Sequence, residues 1–482
     1  MSNGRSQNDA NVARILRVDS FSDVGVTLHQ PSRNEPVMVK GAASAPPPIG
    51  GGPDMSRRLN RRDALRHGAA LLGGMTLAGV APRAFAQDRI RFGGYVESQE
   101  QLKQTLATLK AYTDRNPGVE IVPEFTSFSA FTDKLATEAA GGNAPDMFSV
   151  NVDLLGEYAR RGVLAPLNGY IPKPLDLSDY VDGAIKAGTL NGQLYAIPND
   201  CIAPAITVKT AVFEETGVPM PDQMWTWEQL AETAVAISKA KGKRFWGLED
   251  AGSNYIPCDV FLRGMGKSMF TPERQFNFTR ENLAEWFAYW GRLRDAGGIP
   301  PGEVQALANG DDPALTGLIS GRAAMFASLT DSFVGLQALT EDDLVLHMLP
   351  NGFKGGTLAQ HHYTYAGNST GLWTKSPQKD RIIDIIRFMH FEPAGIELYY
   401  RGSGMVPASK AGRAALADEG TDADRKIIAY IDLLQQNPAP PRYPGITGMS
   451  GMLRRANEAV AFGKMKPQEA ADQFIGEAKA RL

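Results

Sequence analysis

At 482 residues the chain exceeds a comfortable single hydrophobic core, so two lobes are the default expectation. Hydrophobic residues at 43% and charged residues at 21% are those of an ordinary globular protein. A net charge of −3, with Lys and Arg dispersed, gives no electrostatic case for nucleic acid, which is excluded as a partner.

Residues 1–54 are rich in Ser, Asn and Gly and carry the run Pro46-Pro47-Pro48-Ile49-Gly50-Gly51-Gly52-Pro53. They read as a disordered tail, or as an extension ahead of a true start at Met55. Residues 55–86 then show three features in order. Arg57, Arg58, Arg61, Arg62 and Arg66 come first, an apolar run over residues 68–80 follows, and Ala84-Phe85-Ala86 closes the stretch. That order is a secretory signal peptide, and its greasy part falls short of the roughly 20 residues a membrane anchor needs. Asn60-Arg61-Arg62-Asp63-Ala64-Leu65-Arg66 resembles a twin-arginine export signal, departing from it at Asn60 and Ala64. The mature chain is expected to begin near Gln87 and to work in the periplasm. Neither cysteine, Cys201 or Cys258, follows the cut, so no lipid anchor is expected. Whether the two thiols pair is open from sequence.

After the signal, residues 88–95 alternate as a strand, residues 98–115 carry Leu102, Leu106, Leu109 and Tyr112 at helical spacing, and residues 119–125 form a second strand. A helix over 128–140, a strand over 147–150 and a helix over 154–161 continue the alternation. The expectation is a βαβ layout on a parallel sheet, with ligands at the C-terminal ends of the strands. The loops after those strands, at Tyr95–Glu97, Ser127–Ser129 and Asn151–Asp153, are therefore the first site candidates. Residues 194–200 suit a chain leaving one lobe for another. Thr226 with Gln229 has capping-box spacing. A helix end before Gly321 and a strand after it, an apolar helix over 382–389, a crossing-type loop over 402–407 and a helical tail from 453 complete the pass.

Several of these stretches together resemble the extracellular solute-binding proteins of ABC importers, specifically the carbohydrate-binding, maltose-binding-type group. The matching residues include Ala144-Pro145-Asp146, Tyr158-Ala159-Arg160-Arg161-Gly162-Val163-Leu164, Gly192-Gln193-Leu194-Tyr195-Ala196-Ile197-Pro198, Thr226-Trp227-Glu228, Ser320-Gly321-Arg322-Ala323-Ala324-Met325 and Gly404-Met405-Val406-Pro407. The resemblance implies an α/β, two-lobed periplasmic-binding-protein fold, each lobe a β-sheet flanked by helices, joined by a hinge. Residues 87–199 with 350–405 would form the first lobe and 200–349 with 406–482 the second. It implies capture of a sugar or related polar solute without chemistry, delivery to the permease subunits of an ABC transporter, a monomer, and no cofactor. The other readings are a receptor for a polyamine, an amino acid or a sugar acid, and a secreted hydrolase or lyase.

A sugar site wants an aromatic floor and acids or amides at its edges. Candidates on that logic are Glu97, Ser127, Phe128, Asn151, Asp153, Asp200, Asp331, His361 and Asn368, with Trp246 as an alternative floor. Tyr255 matches a cleft tyrosine of the family pattern. Asp200→Ala and Tyr255→Ala are expected to weaken binding without affecting stability. The aromatic usual beyond the Gly-Arg-Ala-Ala-Met turn is absent, which leaves the solute class open. Gly367-Asn368-Ser369-Thr370-Gly371 imitates a nucleophile elbow, but Pro377 bars the helix that should follow. His361 and His362 point to opposite faces of an extended chain and cannot share a metal, so no metal site is expected.

Overall fold

The computed structural model describes residues 88–96, 98–271, 273, 275–306, 312–436 and 448–481. Residues 1–87, over which the sequence suggests a leader and an export signal, and Glu97 lie outside the described residues.

The principal elements are taken in chain order. The first lobe opens with β1 (Asp88–Tyr95), α1 (Gln99–Arg115), β2 (Val119–Thr126), α2 (Phe128–Ala140), β3 (Met147–Val150) and α3 (Val152–Arg160), and β4 (Ala196–Pro198) leaves it. Then come β5 (Pro204–Lys209), α4 (Trp227–Lys241), β6 (Trp246–Leu248), α5 (Tyr255–Gly264), α6 (Arg280–Asp295), β7 (Ala323–Leu329), α7 (Ser332–Gln337) and β8 (Leu344–His347). The chain returns through β9 (Ser369–Leu372), α8 (Lys379–Phe391) and α9 (Pro393–Tyr400), and ends with α10 (Lys410–Glu419), α11 (Asp422–Gln435), α12 (Met449–Ala461) and α13 (Pro467–Lys479).

Two large sheets result, in the strand orders β2-β1-β3-β9-β4 and β8-β5-β7-β6, beside two small two-stranded ones. In the first, β1 runs parallel to β2 and β3, as strands linked by crossover helices must. The sheet is not parallel throughout, however: β9 runs antiparallel to both β3 and β4. The physical reason is topological. β9 re-enters from the other lobe instead of through a crossover helix, so the parallel constraint does not apply to it. The second sheet is also mixed, with β5 antiparallel to β7 and β8.

Helix ends follow local chemistry. Ser98 caps α1 by accepting from Gln101 N, and Thr226 and Gln229 form the reciprocal capping box at α4. The second lobe's core is a block of aromatics in edge-to-face contact, in which Trp227 meets Phe261, Trp286 and Tyr289 at centroid distances of 5.0, 6.0 and 5.5 Å. Its neighbour Trp225 is buried too, and its indole N–H donates to Met348 O.

The hinge is a set of three adjacent segments. Ile202 and Tyr365 exchange backbone hydrogen bonds of 2.9 and 3.0 Å, Asn199 N donates to Asn368 O at 3.0 Å, and Cys201 N donates to Val406 O at 2.7 Å. Asn351 holds Gln223 O, Phe353 packs on Phe261 at 4.9 Å, and Lys354 N donates to Glu228, so residues 351–354 stay with the second sheet's side. Gly352 O accepts from Trp227 N at 3.0 Å, and Gly356 N donates to Phe353 O at 3.0 Å. Cys201 and Cys258 are both buried free thiols.

Candidate functional site

β1, β2 and β3 all end at the same edge of their sheet, and the residues that follow them begin one wall of a cavity of about 460 Å³. That volume lies within the usual range for a small-molecule site, roughly 300–1,000 Å³. From the first lobe come Tyr95, Phe128, Asn151 and Asp153; from the second Tyr255, Leu329, Asp331 and Met449; and from the hinge Asp200, Tyr365, Asn368 and Met405.

The aromatic part of the wall is a corner. Tyr95 meets Phe128 edge-to-face at 5.0 Å, and the Tyr95 hydroxyl donates to Gly367 O at 2.9 Å. Tyr95 is thereby fixed against the hinge, while Phe128 is 40% exposed and presents open ring surface. The opposite side is reached by Tyr255 at the start of α5, whose hydroxyl donates to Asp153 Oδ2 at 3.3 Å. A hydrogen bond thus spans the two lobes at the cavity.

Asn151 has a local task. Its Oδ1 caps α3, accepting from Asp153 N at 3.1 Å and Leu154 N at 3.0 Å, which leaves its amide N–H groups for other partners. Asp200 Oδ1 accepts from Gly367 N at 2.8 Å and Asn368 N at 3.0 Å, tying two hinge segments together. Burial pushes the Asp200 carboxyl up to about 8, helped by the charge of Asp331 and opposed by those two amides. Burial likewise pushes Asp331 up to about 6, against hydrogen bonding from the backbone at Ser332.

Of the residues singled out in the sequence, Phe128, Asn151, Asp153, Asp200, Tyr255, Asp331 and Asn368 come together around this cavity. Three do not line it. Ser127 is the exposed N-cap of α2, just outside the wall. Trp246 sits on β6, the outermost strand of the second sheet, beside Glu249, Gln305 and Arg322 in a separate small crevice. His361 donates its backbone N–H to Asn351 on the second sheet's side, and its imidazole is held below the usual range by burial and by Arg263. Tyr95, which opens the first candidate loop of the sequence, lines the cavity too. Tyr365, Met405 and Met449 were not singled out in the sequence; they are brought in by later returns of the chain. Asp200→Ala also needs a corrected expectation: the side chain holds two hinge amides, so its removal affects the fold as well as the cleft. Ser369 is buried on β9, paired with Val150 and Pro198, so the serine loop is a central strand and no exposed elbow. Among the described residues no group of His, Cys, Asp and Glu is arranged to hold a metal, and no helix is long and apolar enough to cross a membrane.

Two mixed α/β lobes joined by adjacent hinge segments around a shared cavity define the class of two-lobed periplasmic binding proteins. The chain belongs to the bacterial extracellular solute-binding protein family, whose profile matches residues 97–394. A Brucella abortus (strain 2308) protein provisionally named a binding protein is 22% identical over 419 residues, covering 86% of this chain and 98% of that one. The mannitol-binding protein of Pseudomonas aeruginosa is 25% identical over 241 residues, covering 47% of this chain and 52% of its own length. Among solved structures, a family 1 solute-binding protein from Alicyclobacillus acidocaldarius aligns with a TM-score of 0.63 at 25% identity, covering 81% of this chain and 98% of the other. A periplasmic oligogalacturonide-binding protein from Yersinia enterocolitica, in complex with saturated digalacturonic acid, aligns with a TM-score of 0.71 at 16% identity, covering 81% and 98%. The family and these neighbours are binding proteins, and the neighbours include receptors for sugars.

Proposed function

We propose that this chain is the substrate-binding subunit of an ABC importer, capturing a sugar or polyol between its lobes and presenting it to permease subunits at the inner membrane. The observation that carries the reading is the cavity itself. It is lined from both lobes and the hinge, with an aromatic corner at Tyr95 and Phe128 beside the acids and amides Asp153, Asp200, Asp331 and Asn368. An aromatic face against C–H groups, with hydrogen-bonding groups at its rim, suits a polyhydroxylated solute. The mannitol-binding relative and the digalacturonate-bound neighbour support the same class. Solute contacts to both lobes favour the closed form, which is the form a permease would read. Residues 55–86 act as a twin-arginine-type export signal, and the mature chain works in the periplasm as a monomer without a lipid anchor or a cofactor.

A thermal-shift screen of sugars, polyols, sugar acids, amino acids and polyamines tests the reading. A solute at a hundred times its Kd adds about 2.7 kcal/mol and raises the melting point by a readable few degrees. A panel in which no compound raises the melting point would remove the receptor assignment.

A further inference from the structure

The polar rim of the cavity is one-sided. Asp153, Asp200 and Asp331 approach from the first lobe, the hinge and the second lobe, with Asp133 on α2, and no Lys or Arg lines the cavity among the described residues. A buried acceptor joins them. Asn368 is 5% exposed, lines the same cavity, and its Oδ1 has no hydrogen-bond partner. It lies against Asp200, to which its own backbone N–H donates. A buried amide oxygen left without a donor is costly, so this one is best explained by a donor that arrives with the solute.

What donor fits follows from counting. A hydroxyl brings one O–H together with an oxygen that itself seeks donors, whereas an ammonium brings three N–H donors and no acceptor. Around Asp200, Asp331 and Asn368 Oδ1 the protein offers acceptors, and a charge-assisted hydrogen bond is about twice as strong as a neutral one. Resting on the receptor reading above, we infer that the solute of this cleft is a polyhydroxylated molecule bearing a protonated amine, the amine seated at Asp200, Asp331 and Asn368 and the carbon body against Tyr95 and Phe128. A sugar acid is disfavoured at this rim, whose charged side chains carry the same sign as a carboxylate.

The burial of the two acids supports this in a second way. Burial leaves Asp200 and Asp331 holding protons well above the ordinary carboxylate range. The other titratable groups that feel Asp200 are Cys201, Tyr399 and Tyr400, each pushed up by burial and neutral. An arriving ammonium therefore displaces a proton from the acid pair, and binding strengthens as pH rises from 6 towards 8.

The test is calorimetric titration of the full chain with matched pairs: 1-amino-1-deoxymannitol against mannitol, glucosamine against glucose, and spermidine as an amine without hydroxyls. At pH 7.5 the amine of at least one pair should bind about tenfold or more tighter than its neutral partner. It should release protons, seen as a buffer-dependent heat, and lose its advantage below pH 6. Asp331→Asn should reduce the amine's affinity to that of its neutral partner. Neutral members binding as well as the amines would overturn this inference and leave the receptor assignment standing, as would discrimination unchanged in Asp331→Asn. Spermidine binding with every sugar and polyol silent would overturn the polyhydroxylated body. Silence from all probes would overturn the inference and the sugar-receptor reading together.

Discussion

Asp200 carries two loads that a chain of letters does not separate. It faces the cavity, and it also satisfies the amides of Gly367 and Asn368. Asp200→Ala should therefore lower the ligand-free stability by about 1–3 kcal/mol, the cost of leaving buried donors unpaired. Asp200→Asn keeps an acceptor at Oδ1 and should lose less; thermal unfolding of both variants checks this. The same carboxyl gives a pH signature. Its folded-state value is raised to about 8, so the proton it holds stabilises the fold fully below the unfolded carboxylate range, and that stability is lost as pH rises through about 8. His362 and His390 act in the other direction. Burial lowers both to about 3, so acid below the ordinary histidine range favours the unfolded chain, which alone takes up those protons. From about pH 4 to 6 the two histidine uptakes are offset by the two protons the folded chain keeps on Asp200 and on Asp331, whose value is raised to about 6. The ligand-free melting temperature should be nearly level there and then fall between pH 6.5 and 8, at about 1.4 kcal/mol per pH unit for one proton. A melting temperature that rises across that upper window would contradict the assignment, and Asp200→Asn should abolish the fall.

Elements explain where the site's walls stand. Asn151 and Thr226 work by capping, and Thr226→Ala should cost about 1 kcal/mol through loss of the α4 box, measured by chemical denaturation, with solute affinity unchanged. Gly404 is a different case. Its φ is +83°, and a Cβ there would stand 2.7 Å from the carbonyl oxygen of Asp331, a backbone atom. Gly404→Ala combines a strained conformation, costing about 1–3 kcal/mol, with displacement of the segment that carries Asp331. It should weaken solute binding as well as stability, and variants that bind normally would show that this contact is slack. The helices and strands of residues 88–160 were legible because apolar spacing and Asn, Gly and Pro punctuation agree there. The antiparallel return of β9 was not legible, since four buried residues, Ser369, Thr370, Gly371 and Leu372, have no periodicity that reports a direction.

At the scale of the whole molecule, the tie between Tyr255 and Asp153 bridges the lobes at the cavity. Tyr255→Phe removes the hydroxyl that makes this bond and should leave the stability of the ligand-free protein within about 0.5–1.5 kcal/mol of the parent. Solute affinity should drop and the closed population with it, read as a larger radius of gyration in solution scattering with solute present. A variant that closes as tightly as the parent would assign the bond no part in closure.

The chain's own order of residues was enough for the α/β class, the family, the elements of the first lobe and most of the acids and aromatics around the cavity. Those follow from local periodicity, from caps and turns, and from the rule that loops after parallel strands form sites. Tertiary structure alone decided which of the long-range candidates meet. Trp246 and His361 carry the right chemistry but sit on an outer strand and on a loop beside the second sheet, whereas Tyr365, Met405 and Met449 arrive through chain returns hundreds of residues after Tyr95. Local spacing reports which way a side chain faces on its own element; which elements share a cavity depends on how the hinge stacks its three segments, and that is a property of packing.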